Sequence, residues 1–231
     1  MKLTAELINN SPTYINPVKD RELDLSNNHI ALIENLGATR DLNDSLNLCS
    51  NNIRVLGNFP DLPRLKSLYL ANNRIAAIDH HLPSQLPSLT SLVLTNNEIS
   101  ELKILEPLRE LHLESLSLLN NPVMRKPHAR LWCIWRIPSL RVLNLERVAQ
   151  RERNEAKRLF ETSKGKPSQL ALEILDTESP AIDNTFVPGE GLNQRSQADG
   201  DEVSDIQQNI NELKAKIREE MAQIEAMEEF I

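Results

Sequence analysis

The chain has 231 residues, of which 40% are hydrophobic and only 3% aromatic, a length that suits one elongated domain or a domain with a tail. Its net charge of −7 rules out a surface that attracts polyanions throughout, but the charge is unevenly placed. Residues 1–122 carry 10 basic and 14 acidic side chains, residues 123–166 carry 12 and 4, and residues 167–231 carry 4 and 15, so only the middle block suits a polyanion.

Residues 2–10 read as a short amphipathic helix with Thr4 as N-cap and Leu3, Leu7 and Ile8 on one side, stopped by Pro12 and Pro17. With residues up to 19 it is expected to form the N-terminal cap of a larger array. From residue 20 a spacing recurs, clearest in LKSLYLANNRI at Leu65–Ile75, which reads LxxLxLxxNxI. Copies lie at Leu23 and Leu25 with Asn28, Leu46 and Leu48 with Asn51, Leu92 and Leu94 with Asn97, and Leu116 and Leu118 with Asn121. The asparagines are 23, 22, 24 and 24 residues apart, the interval of a leucine-rich repeat.

The spacing dictates a shape. On a short strand the two leucines of LxL point the same way, so they bury while the residues beside them face out. The asparagine stands where the chain bends, and its amide both donates and accepts, so stacked asparagines serve backbone groups otherwise buried without partners. The first two copies are irregular, with Asp20 and Asn43 at the leading leucine position. The expected fold is an α/β repeat solenoid: a horseshoe with a parallel concave sheet, a helical N-terminal cap, a C-terminal repeat cap and a helical or disordered tail.

The repeats and their terminal cap are assigned to residues 20–148. Within the cap, prolines bracket HARLWCIWRI, a helix on which Leu131, Ile134 and Trp135 share a face, and LRVLNLERV reads as a last strand with Leu140, Leu143 and Leu145. Residues 149–163 form a charged helix docking through Ala156, Leu159 and Phe160. Residues 164–201 hold prolines and glycines and read as a linker containing one short helix, SQLALEIL. From 202 to 231, Val203, Ile206, Ile210, Leu213 and Ile217 begin a heptad pattern, which fits a coiled-coil seam or a lone helix equally well.

Catalytic motifs are lacking. There is no glycine-rich phosphate loop, HExxH or GxSxG, and no cofactor is expected. Adjacent His80 and His81 read as surface histidines, and Cys133 as a small core residue. With Cys49 it makes neither a metal-ligand spacing nor a disulfide framework, which favours a reducing compartment. The N-terminus is too polar for a signal peptide and no run is apolar enough to span a membrane, so a soluble intracellular chain is expected.

Two surfaces stand out. The concave strand face presents Glu22, Asp24, Asn47, Tyr69, Ala71, Val93, Thr95, Ser117 and Leu119: a floor of small or apolar side chains with one acidic end. Such a trough suits a helix carrying basic residues, though the same pattern also describes a plain solvated sheet. Arg125, Lys126, Arg130, Arg147, Arg151 and Arg153 form a cationic block at the far cap, suited to phosphates without reading sequence, or equally to an ordinary charged helix.

Several segments go beyond what the repeat requires: KLTAELI at 2–8, DRELDL at 20–25, IENLGAT at 33–39, IPSLRVL at 137–143 and FxPGxGL at 186–192. With them the chain, over residues 1–192, resembles the A-prime family of the U2 small nuclear ribonucleoprotein. The resemblance implies a non-catalytic nuclear scaffold for pre-mRNA splicing. Its concave sheet would cradle a helix of an RRM protein of the B-double-prime type, and its ends would approach a U2 snRNA stem-loop. The tail after Gly200 lies outside the resemblance; its helix is a candidate contact for other spliceosomal proteins. The competing reading is a leucine-rich-repeat targeting subunit of a protein phosphatase, which would carry more acidic and aromatic side chains on the concave face.

Overall fold

A computed structural model describes residues 2–162 and 165–176. The heptad segment, the FxPGxGL stretch and the linker beyond Asp176 lie outside the described residues. Within them, an eight-stranded sheet runs through the repeats in the order β1 (Thr13–Ile15), β2 (Arg21–Asp24), β3 (Ser45–Asn47), β5 (Ser67–Tyr69), β7 (Ser91–Val93), β8 (Ser115–Ser117), β9 (Val142–Leu143) and β10 (Glu146–Arg147). On the opposite side β4 (Val55–Leu56) and β6 (Ala77–Ile78) form a small parallel sheet, which the leucine spacing does not announce. There the coils approach so closely that a Cβ on Gly57 would lie 2.5 Å from Asp79 Cβ.

The repeats stack in parallel and in register. Leu23, Leu46, Leu68, Leu92, Leu116 and Leu143 pair in one row and are all buried, as are Leu25, Leu48, Leu70, Leu94 and Leu118 one step further on. Each isoleucine or valine after the bend is also buried: Ile30, Ile53, Ile75, Ile99 and Val123. The outer layer is mostly 3₁₀ turns, at Leu36–Thr39, Leu102–Glu110 and Pro122–Arg125, with one short helix, α2 (Leu82–Gln85).

The bend is built from an asparagine pair with divided roles. The second asparagine makes the ladder. Asn97 Nδ2 donates to the carbonyls of Leu70 (3.0 Å), Leu94 (3.0 Å) and Thr95 (3.3 Å), while its Oδ1 accepts from Ile75 N (2.9 Å) in the preceding coil. Asn51, Asn73 and Asn121 repeat the arrangement. The preceding residue takes a left-handed backbone in every coil: Asn27, Ser50, Asn72, Asn96 and Asn120, with φ between 55° and 59°. Asparagine tolerates that region better than most side chains, so the doubled asparagine is a conformational requirement as well as a hydrogen-bonding one.

Both edges of the parallel array are closed by an antiparallel strand. At the first edge, Thr13, Tyr14 and Ile15 pair with Leu23, Glu22 and Arg21, so β1 rather than the first helix covers the exposed strand. The helix α1 (Ala5–Asn10), capped by Thr4 Oγ1 on Leu7 N, instead seals the end of the core with Leu3 and Ile8. At the far edge β10 folds back on β9 through a turn at Asn144 and Leu145. Leu145 is therefore 81% exposed and does not join Leu140 and Leu143 inside. The irregular second repeat also has a consequence, since Asn43 is buried with Oδ1 lacking a hydrogen-bond partner.

The far cap is aromatic, and its centre differs from the face drawn from spacing. On α3 (Ala129–Arg136) the buried residues are Ala129, Trp132, Cys133 and Ile134, whereas Leu131 and Trp135 are only partly covered. Trp132 meets Phe160 of α4 (Gln150–Phe160) edge-on at 5.2 Å, and Trp135 stacks on Phe160 at 5.3 Å. Arg136 lies 4.9 Å from the Trp135 ring centre and pairs with Glu106, tying the cap to the preceding coil. Residues 165–176, assigned to the linker by composition, instead belong to the packed unit. They carry α5 (Gln169–Asp176), whose Ala171 is buried and whose Ser168 hydroxyl donates to Leu159 O and accepts from Ala171 N.

Candidate binding face and cationic cap

Because strand side chains alternate, burying both leucines of each LxL turns three rows outward. The first is Glu22, Ser45, Ser67, Ser91 and Ser115, ending at Val142, and its Glu22, Ser45 and Ser67 are buried; the second is Asp24, Asn47, Tyr69, Val93 and Ser117, of which Ser117 is buried. Ser26, Cys49, Ala71, Thr95 and Leu119 continue the coils as a third. Tyr69, Val93, Ala71, Thr95 and Leu119 are half-buried, so the middle of the face is shallow and partly apolar. Its hydroxyls are mutually engaged where they meet, as Thr95 Oγ1 and Ser117 Oγ lie 2.8 Å apart.

The acidic end is more internally committed than its composition suggests. Glu22 is 7% exposed and its carboxylate accepts from Tyr14 OH (2.9 Å), Asn16 Nδ2 (3.0 Å) and Ser45 Oγ (3.2 Å). These donors hold the charge in place while Tyr14, facing an acceptor carboxylate, has its phenol pKa pushed up to about 12. Asp24 caps its own turn by accepting from Ser26 N, and Asn47 does the same for Cys49 N, yet both remain half-exposed. Burial pushes the Cys49 thiol upward from its ordinary value. Tyr14, 44% exposed and paired with Glu22, extends the face at this end and was missed by the repeat pattern. The run Thr13-Tyr14-Ile15 between two prolines was the available signal.

At the far cap the six candidate cations divide into two groups. Lys126 pairs with Glu101, and Arg153 donates to the carbonyls of Pro138 and Leu140. Arg130 grips Glu152 through Nε (2.6 Å) and Nη2 (3.3 Å), and reaches Leu143 O (3.0 Å). That grip holds the Glu152 carboxyl below its usual range, and Glu152 in turn accepts from Ala149 N at the start of α4. These three cations fasten cap to solenoid. Arg125, Arg147 and Arg151 are exposed, and Arg151 joins His128, Arg158, Leu131 and the acidic Glu155 around an open groove of about 680 Å³ between α3 and α4.

Asp79, His80 and His81 gather on the convex side, with both imidazoles within 3.4 Å of Asp79 Oδ1, an exposed turn of consecutive residues. Among the described residues no helix is long and apolar enough to cross a membrane.

Fold and faces together define a leucine-rich-repeat protein with an open concave sheet and a cationic terminal cap. A leucine-rich repeat family model matches residues 1–174. The chain is 50% identical over 200 residues to U2 small nuclear ribonucleoprotein A' of Aspergillus fumigatus, covering 86% of this chain and 77% of that protein. It is 45% identical over 208 residues to the Homo sapiens protein of the same name, covering 90% and 79%. The crystal structure of the Drosophila melanogaster SNF/U2A' complex contains a chain that is 46% identical, with a TM-score of 0.70, covering 75% of this chain and 98% of that one. The chain belongs to the U2 small nuclear ribonucleoprotein A' family. That membership sets aside the phosphatase-targeting alternative.

Proposed function

We propose that the chain is a non-catalytic nuclear subunit of the U2 particle that seats a helix of a B-double-prime-type RRM protein along its concave face. In the same reading it steadies a U2 snRNA stem-loop against its cationic cap. The observation that carries this is the outward floor of Asn47, Tyr69 and Val93 flanked by Ala71, Thr95 and Leu119, with half-exposed Asp24 at one end, while Ser117 and Glu22 lie buried in the same rows. The row from Asp24 to Ser117 crosses five strands, about 19 Å at the spacing of a sheet, the length of about 13 residues of α-helix. A partner helix of that length with basic residues at one end matches both the size and the charge of the trough. The Drosophila relative was solved in complex with SNF, which supports a protein partner for this family.

For RNA the load falls on Arg125, Arg147 and Arg151, because Lys126, Arg130 and Arg153 are held by internal partners. Contacts of this type neutralise phosphates without selecting bases, which leaves sequence selection to the RRM protein. The decisive measurement compares the isolated chain with its complex. We expect Val93→Arg to abolish partner binding with an unchanged circular dichroism spectrum. The isolated chain should bind the stem-loop weakly and with steep salt dependence. Selective, tight RNA binding by the isolated chain, or wild-type partner affinity in Val93→Arg, would overturn the reading.

A further inference from the structure

We infer that Leu145, at the tip of the hairpin closing the far edge of the sheet, is an anchor for the protein partner lying in the concave trough. The inference rests on the trough reading and adds to it a contact that the repeat pattern does not contain. Three observations carry it. First, Leu145 is 81% exposed, more than any other large apolar side chain among the described residues. Second, it sits there against its own conformational preference. Asn144 has φ 54° and Leu145 φ 66°, so both central residues of this two-residue turn are left-handed. Such turns favour asparagine then glycine; a leucine in the second position is strained and gains no burial in return.

Third, the tip is held firmly and adjoins the trough. β9 and β10 pair directly below it, Val148 N donates to Arg141 O, and Val148 is buried. Asn144 N donates to Leu116 O and its Oδ1 accepts from Leu118 N at 2.6 Å, which locks the turn onto the last full coil. Asn144 thus stands at the turn after β9, bonded on either side of Ser117, and Leu145 comes immediately after it. An exposed leucine on a rigid support at the end of a partly apolar floor presents ready-made contact area with little ordering entropy to lose. Its chemistry selects an apolar protein surface, the flank of a helix whose axis runs down the trough, and not a phosphate backbone.

Strain and contact predict opposite effects of one substitution, and this makes the test specific. In the full chain, Leu145→Gly relieves the left-handed leucine, so the thermal midpoint should stay level or rise. Affinity for the RRM protein of the same particle, measured by titration calorimetry, should fall about tenfold, the consequence of losing one buried leucine contact. Leu145→Phe should keep most of the affinity. A lowered midpoint in Leu145→Gly would assign the side chain a structural role and overturn the proposal. Unchanged affinity in Leu145→Gly while Val93→Arg abolishes binding would remove Leu145 from the interface and leave the trough standing. Unchanged affinity in both would remove the trough and the proposal together.

Discussion

The ladder asparagines are not equivalent, and replacing two of them tests the account of how the coils hold together. Asn97→Ala removes three donated bonds and one accepted bond. Their backbone partners fare differently. Leu70 O keeps Asn73 Nδ2, Leu94 O keeps Asn121 Nδ2 and Thr95 O keeps Asn72 N, but Ile75 N has no second acceptor. One buried N–H left without a partner costs about 1–3 kcal/mol, and each good bond lost adds about 0.5–1.5 kcal/mol, so a loss of about 3 kcal/mol is expected. Asn28 stands at the end of the ladder, half-buried, and its amide makes one bond, to Ser26 O at 2.9 Å. Asn28→Ala should therefore lose about 1 kcal/mol or less. Urea unfolding followed by far-ultraviolet circular dichroism gives both values, provided the denaturant slope is unchanged. A loss below about 1 kcal/mol for Asn97→Ala, or equal losses for the two variants, would refute the reasoning. The strand register alone would then be holding the stack.

Three further outcomes are expected from particular residues. Asn43→Leu removes a buried carbonyl oxygen with no partner and restores the leucine found at 65, 89, 113 and 140 in the four later coils. It should stabilise the chain by about 1–2 kcal/mol, read as a higher urea midpoint. Ser50 is the one non-asparagine among the left-handed bend residues, at φ 55°, so Ser50→Asn should gain about 0.5 kcal/mol, detectable as a rise in thermal midpoint. Asp44 accepts from Arg64 Nε and from Arg21 N, and the Arg64 bond foremost lowers its carboxyl to about 2. Since the folded value lies below the unfolded one of about 4, ionised Asp44 stabilises the fold at neutral pH, and that contribution drains away as pH falls from about 4 to about 2. The stability difference between wild type and Asp44→Asn should be present at pH 6 and shrink across that window; a difference independent of pH would contradict the assigned ion pair.

Spacing alone was enough to separate inside from outside along the repeats. The alternation that buries Leu68 and Leu70 and turns Tyr69 outward is a property of any extended strand, so it can be read without knowing what lies next to it. The same holds for Thr4, which caps Leu7 N three residues on, and for Asn97, which bridges its own bend to Leu70 and Ile75 one coil back in a repeating register. What waited for the tertiary structure was every contact outside that period. Tyr14 meets Glu22 through an antiparallel edge strand, Trp132 and not Trp135 is fully buried in a cap where α4 brings Phe160 against both rings, and Leu145 is turned out by a hairpin. The cations were least legible: Arg130 and Arg151 look alike in sequence, but Arg130 has Glu152 within 2.6 Å across the cap while Arg151 faces a groove. Local periodicity fixes the direction in which a side chain leaves the backbone, whereas its partner depends on where distant, non-repeating segments come to rest.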